Sequence, residues 1–194
     1  MASRIGPDKY QAGVTLAEMV VVVALVAIAA AIAIPKADPQ AAFAADAAAG
    51  EVARALRFAQ REAIRTGTWQ QVSVDPATQT LRVYRPTSSG GDTATHPVAK
   101  RDYQISFAGN AMPRAIIVSA VFQYDGGPTT NFASFGPDGT PSYLDPSKMA
   151  QAWSLFLSGS PDIDPLKVEG RITLRYGNQE RVVRVAPVTG RVTF

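Results

Sequence analysis

The sequence of residues 13–34 is GVTLAEMVVVVALVAIAAAIAI, and Glu18 carries its one charged side chain. A helix of about twenty apolar residues from Leu16, rising about 1.5 Å per residue, would cross the roughly 30 Å hydrocarbon layer of a bilayer. Its apolar side chains would surround the helix on all sides and would not form a single stripe. The pattern therefore favours a membrane-spanning helix over a buried helix of a soluble protein.

Glu18 lies two residues inside the N-terminal edge of this apolar stretch. An ionised carboxylate in lipid costs several kcal/mol, so such a residue is usually paired, close to the interface or functional. A carboxylate near a helix N-terminus is also favoured by the helix macrodipole alone. A secretory signal peptide is a second interpretation, since Arg4 and Lys9 precede the apolar stretch. The length of that stretch and the position of Glu18 argue against it.

The segment Gly-Val-Thr-Leu-Ala-Glu-Met at residues 13–19 follows a short polar leader and precedes an apolar helix. It resembles the type III signal of type IV pilins and pseudopilins. In that family a membrane peptidase cuts after the glycine and methylates the new N-terminal amine. The resemblance implies cleavage between Gly13 and Val14, N-methylation of Val14 and an assembly role for Glu18. The carboxylate of Glu18 would pair with the N-terminal ammonium of a neighbouring subunit. Val14 departs from the family's usual phenylalanine.

Pro35 follows the apolar stretch, at a place where pilins often carry a proline. Proline removes one helical hydrogen bond and clashes with the preceding turn, so we expect a kink there. A simple helix stop at the membrane surface is the alternative. The boundaries expected from the resemblance are a leader over residues 1–13, a transmembrane and assembly helix over 14–35, an amphipathic helix over 36–67 and a periplasmic β domain over 68–194.

Residues 36–67 have a two-sided pattern that predicts an amphipathic helix ending at Gly67. Small apolar residues recur at steps of three and four along one face, which is formed by Ala45, Ala49, Val52, Leu56, Ala59 and Ala63. Arg54, Arg57, Arg61 and Arg65 cluster on the other side, which we interpret as a solvated face. The sequence LRFAQREAIRTGT at residues 56–68 resembles the helix end of H-type pseudopilins and FimT-like minor pilins.

Residues 68–194 contain short runs rich in β-branched and aromatic residues, separated by turn sequences, and this pattern predicts an antiparallel sheet. The fold class is therefore α+β and pilin-like, with a long N-terminal helix packed on a C-terminal antiparallel sheet. Residues 86–100 and 158–165 are predicted to be surface loops. The predicted strands lie at residues 71–74, 80–84, 116–124, 132–135, 153–157, 171–176, 181–186 and 192–194. The first two flank the turn sequence at 75–78, and 171–176 and 181–186 flank Gly177-Asn178, so each pair is predicted to form a hairpin.

Few residues in this chain are suited to catalysis or to metal binding. Cysteine is absent, and His96 is the only histidine, predicted to be a solvated loop residue. Asp162 and Asp164 lie in a sequence rich in turn-forming residues. It does not supply the further oxygen ligands that calcium requires. No phosphate-binding glycine motif occurs. We therefore expect a protein that is not an enzyme and that needs no cofactor and no metal.

Three functions are compatible with these features. The first is a minor pseudopilin of a type II secretion system, in the bacterial inner membrane with its C-terminal domain in the periplasm. Its partners would be the prepilin peptidase, other pseudopilins or pilins, and lipid. The second is a FimT-like minor pilin that captures DNA, for which the candidate contacts are Arg171, Arg175, Arg181, Arg184 and Arg191. A membrane-anchored extracytoplasmic hydrolase is the third. The FimT-like minor pilins that bind DNA carry Gly-Arg-x-Arg near the C-terminus, whereas Thr193 replaces the second arginine here. This difference favours secretion.

Overall fold

A computed structural model of the chain describes residues 14–33, 39–87, 90–109, 115–143 and 163–194. Helix α1 (Leu16–Ala33) belongs to one compact unit, and a second unit begins with helix α2 (Pro39–Thr66) and includes all the strands. Several predicted features lie outside the described residues, namely the leader 1–13 with Gly13, the kink at Pro35, the strand at 153–157, and Asp162.

Helix α1 carries apolar residues around its whole circumference. Every side chain described from Val14 to Ala30 is exposed, and Leu25 keeps 61% of its surface accessible. Within the described residues, no helix has the length and hydropathy that a membrane span requires.

Helix α2 buries the face that the sequence predicts. All six residues of the predicted stripe are fully buried. The buried face is wider than the stripe, because Ala48, Ala53 and Ala55 are also inaccessible. The helix ends at Thr66, and Gly67 follows with a φ of +64°, which glycine adopts without steric cost.

The strands of the second unit form two main sheets and one short pair. Their bounds are β1 (Gln70–Asp75), β2 (Thr80–Thr87), β3 (Gly90–Thr93), β4 (Gln104–Ser106), β5 (Ile116–Gln123), β6 (Thr129–Thr130), β7 (Phe132–Phe135), β8 (Ser142–Tyr143), β9 (Asp164–Pro165), β10 (Gly170–Tyr176), β11 (Gln179–Val185) and β12 (Val192–Thr193). The first sheet has the order β3-β2-β1-β7, with β4 also paired to β2. The second has the order β12-β11-β10-β5-β6, and β8 pairs with β9.

Helix α2 packs on both main sheets and shares one hydrophobic core with them. The core includes Leu56 of the helix, Val72 of the first sheet and Leu174 of the second. The pairings are antiparallel, and the two predicted hairpins, β1–β2 and β10–β11, are confirmed. The predicted α+β class is therefore confirmed.

Two side chains connect the main sheets by hydrogen bonds to the backbone. Gln79, in the turn after β1, donates from Nε2 to the carbonyl of Ile117 over 2.9 Å and accepts from the Ile117 amide over 2.7 Å. The Tyr124 hydroxyl accepts from the Ser134 amide over 3.0 Å and donates to the Phe132 carbonyl over 3.2 Å. These bonds link β5 and the residue that follows it to the first sheet.

The predictions of surface loops at residues 86–100 and 158–165 are partly wrong. Strand β2 continues to Thr87, β3 pairs with it, and an isolated bridge joins Thr95 to Asp102. Glycine makes the β2–β3 pairing possible, because a Cβ on Gly91 would lie 2.2 Å from a ring carbon of Tyr84. In the second loop, Asp164 and Pro165 form β9.

Candidate assembly site

The N-terminal end of α1 contains a hydrogen bond that the sequence analysis did not anticipate. The Thr15 hydroxyl accepts from the Glu18 amide over 3.3 Å, as an N-cap residue does. Thr15 and Glu18 fit the spacing of a capping box, in which threonine is followed three residues later by glutamate. That spacing was the available signal in the sequence. Glu18 therefore occupies the first turn of α1, two residues after the first helical position.

Both groups of the predicted assembly pair are exposed. Val14 keeps 65% of its surface accessible, and the Glu18 side chain is also exposed. In the described part of the chain, Glu18 forms no salt bridge.

The arginines of α2 differ in their surroundings. Arg54 forms a salt bridge with Glu51, and Arg65 Nε donates to Glu62 over 2.8 Å. The hydrogen bonds from Arg65 lower the pKa of Glu62 below its usual value, which keeps this carboxylate ionised. Arg57 is half-buried, and its Nη2 donates to the carbonyl of Val192 over 2.9 Å. The prediction of a uniformly solvated arginine face is therefore wrong at Arg57, which holds the C-terminal strand against the helix.

The five arginines proposed for nucleic-acid contact do not form one patch. Arg171 of β10 and Arg184 of β11 lie directly opposite each other and are exposed, but Glu169 lies 3.4 Å and 3.7 Å from their respective Nε atoms. Arg175 lies opposite Glu180 in the same strand pair. Arg181 forms a salt bridge with Asp46 of α2, and Arg191 lies in the turn before β12. Where two of these arginines lie side by side, a neighbouring carboxylate thus reduces the net positive charge of the surface.

His96 is half-buried, which contradicts the prediction of a solvated loop residue. Its Nδ1 accepts from the amides of Val98 and Ala99 over 3.2 Å and 2.9 Å, and its ring lies 4.4 Å from that of Tyr103. These contacts depend on the β-bridge between Thr95 and Asp102, which the sequence pattern did not predict. Asp164 lies in β9, with its carboxylate against the backbone of Gly126 and Gly127. Among the described residues, no group of three side chains is placed to hold a metal ion.

The N-terminal segment matches a known family model, and the structure resembles two solved structures. Residues 8–34 match the family model of the prokaryotic N-terminal methylation motif. This match confirms the pilin-type signal predicted from residues 13–19. The fold is similar to two structures of the minor pseudopilin EpsH from the type II secretion system of Vibrio cholerae, at 17% and 16% identity and a TM-score of 0.43 for each. Each alignment covers 77% of this chain and 94% of EpsH. No curated protein sequence matches the chain significantly.

Proposed function

We propose that this protein is a minor pseudopilin of a type II secretion system, a structural subunit in or near the tip of a periplasmic pseudopilus. The methylation motif at residues 8–34 carries the proposal, because it joins a processing signal to a helix whose described apolar side chains are exposed. In this role the chain is not an enzyme. Residues 1–13 are the leader, 14–35 anchor the subunit in the inner membrane, and 36–67 with 68–194 form the periplasmic part.

The exposed surface of α1 supports a function in assembly. After the prepilin peptidase cuts behind Gly13, the ammonium of Val14 needs a counter-charge in a bilayer or a filament core, and Glu18 of a neighbouring subunit supplies it. Helices from successive subunits then stack in a heterologous, helical array. Packing between apolar helices compensates for leaving the lipid.

Mass spectrometry of the protein purified from its native membrane tests the processing step. We expect a chain that begins at Val14 and carries one additional methyl group. Gly13→Ala should leave the leader attached and give an uncut mass. A native chain that begins at Met1, or that is trimmed at a site well past Ile34, would contradict the proposal.

Incorporation into filaments tests the function of Glu18. Glu18→Ala should leave the protein in the membrane but block its incorporation, measured by co-purification with sheared pseudopili. Thr15→Val is the matched control, because it removes the N-cap and keeps the carboxylate. If both variants fail equally, the Glu18 effect comes from helix capping, and if Glu18→Ala assembles normally, the charge-pairing step is wrong.

DNA capture remains the second candidate, supported by the facing pair Arg171 and Arg184. A gel-shift assay distinguishes it from secretion, because phosphate contacts give strongly salt-dependent binding. Submicromolar binding that weakens steeply with salt would favour DNA capture. Weak binding with little salt dependence would favour the secretion subunit.

A further inference from the structure

A groove runs along the exposed side of α2, between that helix and residues 92–103. Two adjoining cavities form it, with volumes of about 530 Å³ and 590 Å³, and they share Phe58, His96 and Pro97 among other lining residues. The groove extends from Glu51 to Thr66, a distance of roughly 22 Å along the helix axis. We call it the α2 groove.

One wall of the α2 groove is aromatic. The ring centroid of Tyr103 lies 5.0 Å from that of Phe58 and 4.4 Å from that of His96. Tyr103 is 3% exposed, so its ring is fixed beneath the two outer rings. Phe58 and His96 are half-buried and line both cavities. This wall offers apolar contact to a side chain lying in the groove.

The charge of the α2 groove is positive. Its carboxylates are already paired, Glu51 with Arg54, Glu62 with Arg65 and Asp92 with Arg85. Arg61 and Lys100 also line it, are exposed, and form no salt bridge within the described residues. Two cations therefore remain for a ligand that brings carboxylates.

The α2 groove also contains a buried hydrogen-bond acceptor without a donor. Gln70 lines the groove and is 4% exposed, and its Oε1 receives no hydrogen bond from the described part of the chain. A buried acceptor left unsatisfied is costly, and native proteins rarely retain one. A donor from a ligand, such as a peptide N–H, would satisfy it.

We propose that the α2 groove binds an extended acidic peptide segment of a partner protein. Such a segment supplies the three groups that the groove lacks: carboxylates for Arg61 and Lys100, a backbone N–H for Gln70 and apolar side chains for the aromatic wall. About seven residues in extended conformation, at roughly 3.3 Å each, span the groove. A polyphosphate backbone has neither an N–H group for Gln70 nor an apolar side chain for the aromatic wall. This site is separate from the N-terminal assembly site and goes beyond the proposed function.

Fluorescence anisotropy with the full-length protein in non-ionic micelles tests this site. The probe is a fluorescein-labelled heptapeptide of alternating glutamate and valine. We expect saturable micromolar binding of this peptide. The same peptide with lysine in place of glutamate, and a single-stranded oligonucleotide of similar length, should not bind. No saturable binding of the acidic peptide, or equal binding of the oligonucleotide, would overturn the proposal.

Three variants test whether the peptide binds in the α2 groove. The double variant Arg61→Ala/Lys100→Ala should weaken binding about fivefold. The matched control is Arg171→Ala/Arg175→Ala, which removes two exposed arginines of β10, and it should leave affinity unchanged. Gln70→Leu should weaken binding about threefold through loss of the acceptor, without lowering the melting temperature. Equal affinities for the Arg61→Ala/Lys100→Ala variant and its control, or wild-type affinity in Gln70→Leu, would contradict binding in this groove.

Discussion

Helices α1 and α2 are both rich in apolar residues, but they expose them very differently. In α1 the side chains described are all exposed, whereas the predicted stripe of α2 is fully inaccessible. An amphipathic helix can bury its apolar stripe on its own sheet, as α2 does. A helix that is apolar all round needs a partner on every side. This difference assigns folding stability to α2, and it leaves the surface of α1 available for the assembly function that we propose.

The largest effect on the free energy of unfolding is expected when one leucine of each helix is replaced and the two variants are compared. Leu56→Ala removes a fully buried side chain from the core and should lower the free energy of unfolding by about 2–5 kcal/mol. Leu25→Ala, at a position that is 61% exposed, should leave that free energy unchanged. Urea titration of the full chain in micelles measures the unfolding free energy of both variants. Tryptophan fluorescence reports the unfolding, since Trp69 and Trp153 lie beyond α1. Equal losses in the two variants would contradict the division of roles.

Much of the α1–α2 contrast could be predicted from the sequence, because both patterns are local. The same is true of the two hairpins, whose turn residues lie beside the strands that they join. The signal at residues 13–19 is also a local motif, contained in seven consecutive residues.

The features that escaped prediction depend on contacts between particular side chains, which a local residue pattern does not encode. Arg57 bonds to the carbonyl of Val192, 135 positions away. Strand β3 depends on the fit of the Tyr84 ring against Gly91, and the contacts of His96 depend on Tyr103. The α2 groove exists only once these segments meet. Helical periodicity alone therefore placed all four α2 arginines on one solvated face.

A second prediction concerns the turn that packs on α2 at Gly190. Its φ is +63°, and a Cβ there would lie 2.5 Å from Gln60 Nε2, which donates to the carbonyls of Gly139 and Thr189 over 2.8 Å and 2.9 Å. Gly190→Ala should cost about 1–3 kcal/mol of unfolding free energy. The control is Gly177→Ala, with a φ of +58° and no atom within 4 Å of the new Cβ, and it should cost less. Equal costs would mean that backbone strain alone matters.

The third prediction uses pH to examine the link between the sheets. Burial raises the pKa of Tyr124 well above its usual value of about 10, so the folded state keeps a proton that the unfolded state loses. Stability should therefore fall as pH rises above about 10, by up to about 1.4 kcal/mol per pH unit. Burial also raises the pKa values of Tyr84 and Tyr103, which act in the same direction.

Tyr124→Phe isolates the contribution of this tyrosine. The variant should lose about 0.5–1.5 kcal/mol of unfolding free energy at neutral pH, because the hydroxyl bonds to β7 disappear. Its stability should then decline less steeply above pH 10 than that of the wild type. Urea titrations at several pH values measure both quantities. Parallel declines in the two proteins would assign the pH dependence to other groups.

The smallest expected effect lies on the exposed side of α2, where Asp46 forms a salt bridge with Arg181. The side chains are 51% and 31% exposed, so solvent screens the pair. Asp46→Asn should cost only about 0.2–1 kcal/mol of unfolding free energy, and added salt should reduce the difference from the wild type. Urea titrations of the variant and the wild type at low and high salt measure this loss of unfolding free energy. A loss as large as that of Leu56→Ala would contradict the conclusion that the buried face of α2, and not its charges, holds the helix to the sheets.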